Sequence, residues 1–248
     1  MSGGENTDNA TEEIIGREIS YRETGVRVAG AWLAIGSLLI VVSLALHPPP
    51  SPVPSEFMAI IADSPTRWMA VHWGAALALI MIVIAGLIML TARSRLTQAW
   101  WTMTAWTVLV VGALGVTVTA IAEATVITAA AVAGDAAAFE AWQLFADGTA
   151  LGFGFIAAAV ALIAFNETRS AQSVTPAWAA WIGAIAAIVA VGGFVLGLVL
   201  GIAIGGAIWL ASTIVMSLWT LWFGVALARS DSSAVELEEV SVTRPKIT

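Results

Sequence analysis

Residues 192–206 read GGFVLGLVLGIAIGG, with Gly193, Gly197, Gly201 and Gly205 at every fourth position and Val, Leu, Ile, Phe and Ala between them. In water a glycine inside a helix costs about 1 kcal/mol relative to alanine. A helical spacing of glycines makes sense where close approach of two helices outweighs propensity. Within a bilayer, lipid tails are as apolar as leucine, so burial does not drive helices together. Close van der Waals contact does, and small residues at i and i+4 allow it. The stretch therefore predicts a membrane helix with a groove along Gly193, Gly197 and Gly201.

The whole chain agrees. Of its 248 residues 59% are hydrophobic and only 11% are charged, against about 25% charged in a soluble domain. The apolar residues form continuous blocks, not alternating runs, which favours helices over a barrel. About 20 apolar residues cross the hydrocarbon core. The predicted spans are Val26–Leu46, Trp68–Thr91, Thr102–Ala133, Trp142–Phe165, Trp178–Leu200 and Ala207–Ala228. The fold class expected is an all-α, six-helix transmembrane bundle over residues 25–228. Residues 1–24 read as a disordered acidic tail and 229–248 as a second disordered tail.

Six spans place both termini on one face. Arg17, Arg22, Arg27, Arg93, Arg95, Arg169, Arg229, Arg244 and Lys246 fall on that face, and only Arg67 falls on the other. Basic residues near span ends favour the cytoplasm, so both termini are expected there, in a plasma membrane. Tryptophans mark the edges: Trp100, Trp101, Trp178, Trp181, Trp219 and Trp222 near the inner face, and Trp68, Trp142 and Trp209 near the outer one. The third block is longer than one crossing needs and must tilt or project. Gly205-Gly206 is the expected outer turn between the last two spans.

The long outer connection begins His47-Pro48-Pro49-Pro50, which stops the first helix, because proline lacks the N–H that a helix needs. Ser55–Ala62 then carries Phe57, Met58, Ile60 and Ile61, expected as a short helix in the outer interface. Ser64-Pro65 is a helix start, with serine as N-cap and proline at the first position.

Several chemistries are excluded. There is no cysteine, hence no disulfide, thiolate metal site or cysteine nucleophile. The one lysine is Lys246, which rules out a retinal Schiff base inside the bundle. No phosphate-binding glycine loop or nucleophilic triad is present, and the loops ARSRLTQA and NETRSAQSVTP are too short for a catalytic domain. The acidic tails argue against nucleic acid.

The candidate site residues are the ionisable groups inside the spans, which cost about 2.5–3.5 kcal/mol each at a helix centre and so need a reason. Glu123 lies in TVTAIAEATVITAAA, one turn after Thr119; its carboxyl is either a proton- or ion-handling group or a neutral group that hydrogen-bonds Thr119 or a neighbouring helix. His72 lies about one turn into the second span and Asp147 a little over one turn into the fourth. If these spans meet, His72, Glu123 and Asp147 form a proton, ion or ligand pocket in the outer half. Asp147, just before Gly148, reads equally as a helix cap. His47 and His72 are the metal or haem candidates. Gly148 and Gly152 offer a second small-residue pair, and Gly112, Gly115 and Thr119 a third face. Each serves either packing within one bundle or a homodimer.

The run HPPPSP through EFMAIIADSPTRWMAVHW resembles small uncharacterised six-helix prokaryotic membrane proteins, which implies a similar bundle and no particular activity. The scarcity of lysine, the wealth of Ala, Val and Thr, and the net charge of −7 resemble the composition of salt-adapted, haloarchaeal-type proteins. The leading functional expectation is a non-enzymatic accessory or binding component, with a membrane-protein partner or a second copy. A proton- or ion-coupled transporter using Glu123 is the alternative, and a haem- or metal-binding redox protein the second alternative.

Overall fold

The structure is a computed structural model, describing residues 5–48, 51 and 53–230, with side chains from Arg22 onward. Among the described residues there is no strand. The elements are α1 (Glu5–Leu46), α2 (Pro54–Asp63), α3 (Pro65–Thr91), α4 (Trp100–Ala133), α5 (Ala136–Arg169), α6 (Ala177–Val199) and α7 (Ala203–Arg229). Six of them are long and apolar enough to cross a membrane: Arg22–Leu46 within α1, and then α3 to α7. The chain is a multi-pass membrane protein.

Each long helix packs against the next in sequence, and α7 returns to pack against α1. The result is a ring of six antiparallel helices, closed by its first and last members. One end carries the chain termini, and the other carries α2. Large apolar residues such as Leu77, Leu144, Ile188 and Ile204 are exposed around the outside of the ring, as a lipid-facing surface requires.

Small residues set the crossings. At the α1–α7 seam, a Cβ on Gly30 would lie 2.7 Å from the Gly224 carbonyl, and one on Gly224 2.8 Å from the Gly30 carbonyl. A Cβ on Gly112 would lie 2.7 Å from the Gly152 carbonyl, where α4 crosses α5. Gly193 and Gly197 receive the start of α7, their added Cβ atoms meeting the backbone of Gly205, Gly206 and Trp209. The groove read from the sequence is thus an internal seam. Two glycines differ from expectation. Gly148 has nothing within 4 Å of its would-be Cβ, so it packs against no other helix of this chain. Gly201 is not in the groove but forms the turn, with φ +68°, a conformation that is cheap only for glycine. Gly205 and Gly206, expected as the turn, lie inside the first turns of α7.

The ends also differ from the sequence reading. The chain is helical back to Glu5, where a disordered tail was expected. Glu5–Thr24 contains no proline and one glycine, so nothing in it stops the helix entering from Gly25. Met1–Gly4 and residues 231–248 of the second tail lie outside the described residues. Helix α5 begins at Ala136, six residues before the expected Trp142, and is capped by Asp135, whose side chain accepts the Ala138 N–H at 3.0 Å. Asp147 sits mid-helix and caps nothing. Helices α4 and α5 therefore run on together at the α2 end, where α2 packs against them. Ile61, Trp68, Ile127, Phe139 and Ala146 form a second small core there, with Phe57 and Met58 against it.

Candidate functional site

Two places inside the ring hold buried polar groups. The first is at the α2 end. Helix α4 loses its α-helical register at Glu123–Ile127, a π-helical turn. Such turns are rare and concentrate at functional sites. The side chain of Thr128 donates to the Glu123 carbonyl at 2.6 Å, which satisfies a backbone acceptor in the irregular turn. The Glu123 carboxylate is buried and accepts the Trp68 indole N–H at 3.2 Å. Of the two expected partners the neighbouring helix supplies the bond, while Thr119 turns to Thr149, 2.7 Å away, and to the Ala146 carbonyl.

Trp68 is the hub of this cluster, and sequence reading placed it only as an edge marker. It is 1% exposed. Its ring contacts those of His47 at 4.8 Å, Phe57 at 5.4 Å and His72 at 4.6 Å between centroids. The His72 Nδ1–H donates to the Trp68 carbonyl at 2.9 Å, one helical turn back, and the His47 Nδ1–H donates to the Pro48 carbonyl at 2.6 Å. Burial holds the His47 imidazole below its ordinary range. The Pro48 carbonyl works against that shift, and the Arg67 guanidinium works with it. Arg67 donates twice to the Leu46 carbonyl, at 2.8 and 3.1 Å, tying the start of α3 to the end of α1.

The predicted trio is brought together in part. His72 and Glu123 share Trp68 as a neighbour. Asp147 lies within electrostatic reach of Glu123 but is exposed, and accepts from the Gln143 amide at 3.1 Å on its own helix. Among the described residues no group of three or more His, Cys, Asp or Glu side chains is arranged to hold a metal ion. The His47 and His72 rings touch edge to face, with centroids 5.1 Å apart. A haem held between them would need its macrocycle in that gap, and there is no room for it. Phe57 and Phe139 pack the remaining space.

The second place is the ring axis. A cavity of about 50 Å³ is lined by α1, α3, α4, α5 and α7. Among its lining residues, Trp106, Thr213 and Trp219 are at most 5% exposed. The two indole N–H groups and the Thr213 hydroxyl have no hydrogen-bond partner. Ser37 and Thr220, also in the lining, satisfy each other: Ser37 donates to Thr220 at 2.9 Å, and Thr220 donates to the Ser217 carbonyl at 2.9 Å. Trp219 is seated from behind on Gly183 of α6, where an added Cβ would clash with the indole ring. A Trp or Thr in an apolar run reads as packing, so the sequence carried no signal for this cavity. Only the ring geometry gathers residues that stand about a hundred positions apart.

No protein-family model, no curated protein and no solved structure matches this chain.

The terminus end holds one further pair that the sequence did not single out. Arg95 donates to Glu167 at 3.1 Å and to the Ser170 hydroxyl at 3.2 Å, and Glu167, fully buried, also accepts the Val174 N–H at 2.9 Å. This joins the α3–α4 and α5–α6 connections.

Proposed function

We propose that this protein is a non-enzymatic binding component of a prokaryotic plasma membrane, with both termini cytoplasmic, and that it holds a small ligand in the cavity on its ring axis. The observation that carries the reading is the cavity itself, lined by five of the six membrane helices and mostly by apolar side chains, with Ser37, Thr213, Ser217 and Thr220 among them. The basic residues on the terminus face support the orientation.

Xenon tests the cavity directly. The ¹²⁹Xe resonance of the purified protein under xenon pressure should show saturable exchange with a bound site. Filling the space by Ala157→Leu should abolish it, with Leu109→Phe as the substitute if Ala157→Leu does not fold. A wild-type chain that takes up no xenon ends the reading.

A second reading is favoured by one observation, the buried Glu123 carboxylate on its π turn. There it serves as the coupling carboxyl of a proton- or ion-linked transporter. Reconstituted vesicles with Glu123→Gln measure this: a pH gradient that drives equal flux in variant and wild type removes Glu123 from any coupling role.

A further inference from the structure

We infer that the basin between the α3–α4 and α5–α6 connections holds the phosphate of an anionic phospholipid headgroup, with Arg169 as its principal partner. The basin measures about 370 Å³ and is lined by Arg95, Asn166, Arg169, Ser170, Ala171 and Gln172. It lies at the terminus end of the ring and shares no lining residue with the axial cavity, so it stands or falls apart from the binding reading above.

Its chemistry is one-sided. No Asp or Glu lines it. Arg95 Nη1 is held at 3.1 Å by the fully buried Glu167 and at 3.2 Å by the Ser170 hydroxyl. Arg95 is thereby fixed in the wall, and its charge is balanced. Arg169 is not balanced. It is exposed, its guanidinium lies 5.3 Å from the centre of the Phe165 ring, and among the described residues it meets no carboxylate. A guanidinium offers five N–H donors in a planar fork that matches phosphate. The Ser170 Oγ accepts from Arg95 and from the Gln172 N–H, at 3.2 Å each, which leaves its own O–H to give. The lining therefore supplies donors around one uncompensated positive charge, and a phosphodiester monoanion answers both. A headgroup that also carries an ammonium finds no carboxylate here, so phosphatidylglycerol fits better than phosphatidylcholine.

The surroundings favour a lipid over a free phosphate. Phe155, Leu162, Phe165 and Arg169 follow one another at helical spacing along one face of α5. Phe155 and Leu162 are exposed there. On α6, Trp181 is exposed and its ring meets that of Phe165 at 6.1 Å between centroids, with Ile185 exposed one turn further on. An acyl chain laid along this stripe brings its headgroup to Arg169, whose apolar stem covers greasy surface while its charged end stays in the interface. Basic pockets between membrane helices take anionic headgroups in the same manner, and Trp178 and Trp181 mark the interface here.

The test measures equilibrium binding of ¹⁴C-labelled dioleoylphosphatidylglycerol to the full chain in dodecyl maltoside micelles. Unlabelled phosphatidylglycerol should displace it about fivefold more effectively than phosphatidylcholine with the same acyl chains. Arg169→Gln should remove that preference. Arg229→Gln, which deletes an exposed charge on the same face outside the basin, should keep it. Ala171→Glu, at an exposed position in the lining, puts a repelling carboxylate there and serves if Arg169→Gln does not fold. Millimolar inorganic phosphate should leave the lipid bound. Equal displacement by the two lipids overturns the inference, and so does an equal loss of preference in Arg169→Gln and Arg229→Gln. Displacement by inorganic phosphate overturns the lipid as the source and assigns the basin to a soluble phosphate.

Discussion

The bond between Trp68 and Glu123 should be measurable as a coupling energy. Trp68→Phe removes the indole N–H and part of a ring packed against Phe57, His47 and His72. Glu123→Gln keeps the shape and an acceptor oxygen but changes the group that accepts. Either change alone mixes lost packing with a lost bond, so the informative quantity is the double-mutant difference. Hydrogen bonds between membrane helices average about 0.6 kcal/mol in such cycles and reach about 1.7. This one is buried at both ends, with Trp68 1% and Glu123 6% exposed, and its acceptor is a carboxyl oxygen. It should fall in the upper part of that range, about 1–1.5 kcal/mol. Reversible unfolding in mixed detergent micelles, followed by circular dichroism for wild type, both single variants and the double variant, gives the number. Additive single changes, within about 0.3–0.5 kcal/mol, would refute the argument that this bond joins α3 to the π turn of α4.

Other expectations follow from the same geometry. Gly112→Ala places a methyl 2.7 Å from the Gly152 carbonyl, and forcing the backbones apart should cost about 1–3 kcal/mol, read as a lower melting temperature. Glu167→Ala leaves the Val174 N–H without its acceptor and Arg95 with only the Ser170 hydroxyl; a loss of about 2–3 kcal/mol in unfolding titrations should result, with Glu167→Gln intermediate. His47 is held neutral by burial, so its contribution is present above the unfolded value near 6.5 and fades as pH falls below it. The protection of residues 54–63 from hydrogen exchange, taken relative to the intrinsic rate at each pH, should therefore fall between pH 7.5 and 5, and His47→Gln should flatten that response. Single cysteines introduced as Ser51→Cys and Ser230→Cys report the sidedness: an impermeant maleimide on intact cells should label the first and spare the second.

The spans were legible because twenty apolar residues in a row have few alternatives, and the structure moves their ends by only a few positions, apart from α1 and α5. Helix α5 was missed by six residues because AAAFEA is helical without being greasy, and hydropathy measures only grease. The glycine groove was legible as spacing, whereas its neighbour was not, since i, i+4 glycines fit a second copy as well as the next helix. Gly201 and Gly205 looked alike in sequence, and only the backbone angle tells the turn glycine from the seam glycine. At the candidate sites, rarity made His72, Glu123 and Asp147 visible. Trp68 and Trp219 stayed hidden because tryptophan is common here, at 12 residues, and an indole's role depends on whom its N–H faces.

Because the first helix rests against the last, a nascent chain cannot complete itself until its final span leaves the ribosome. Until then the flank of α1 at Gly30 has no companion, and whatever shields it in the interim stands where Gly224 will later come to lie. The end of α7 consequently lies beside α1 near Arg27, whose side chain donates to the Ala228 carbonyl. A version cut in the α5–α6 loop, with Ser230 joined by a linker to Arg22 of α1, should assemble into the same ring by a different order of insertion.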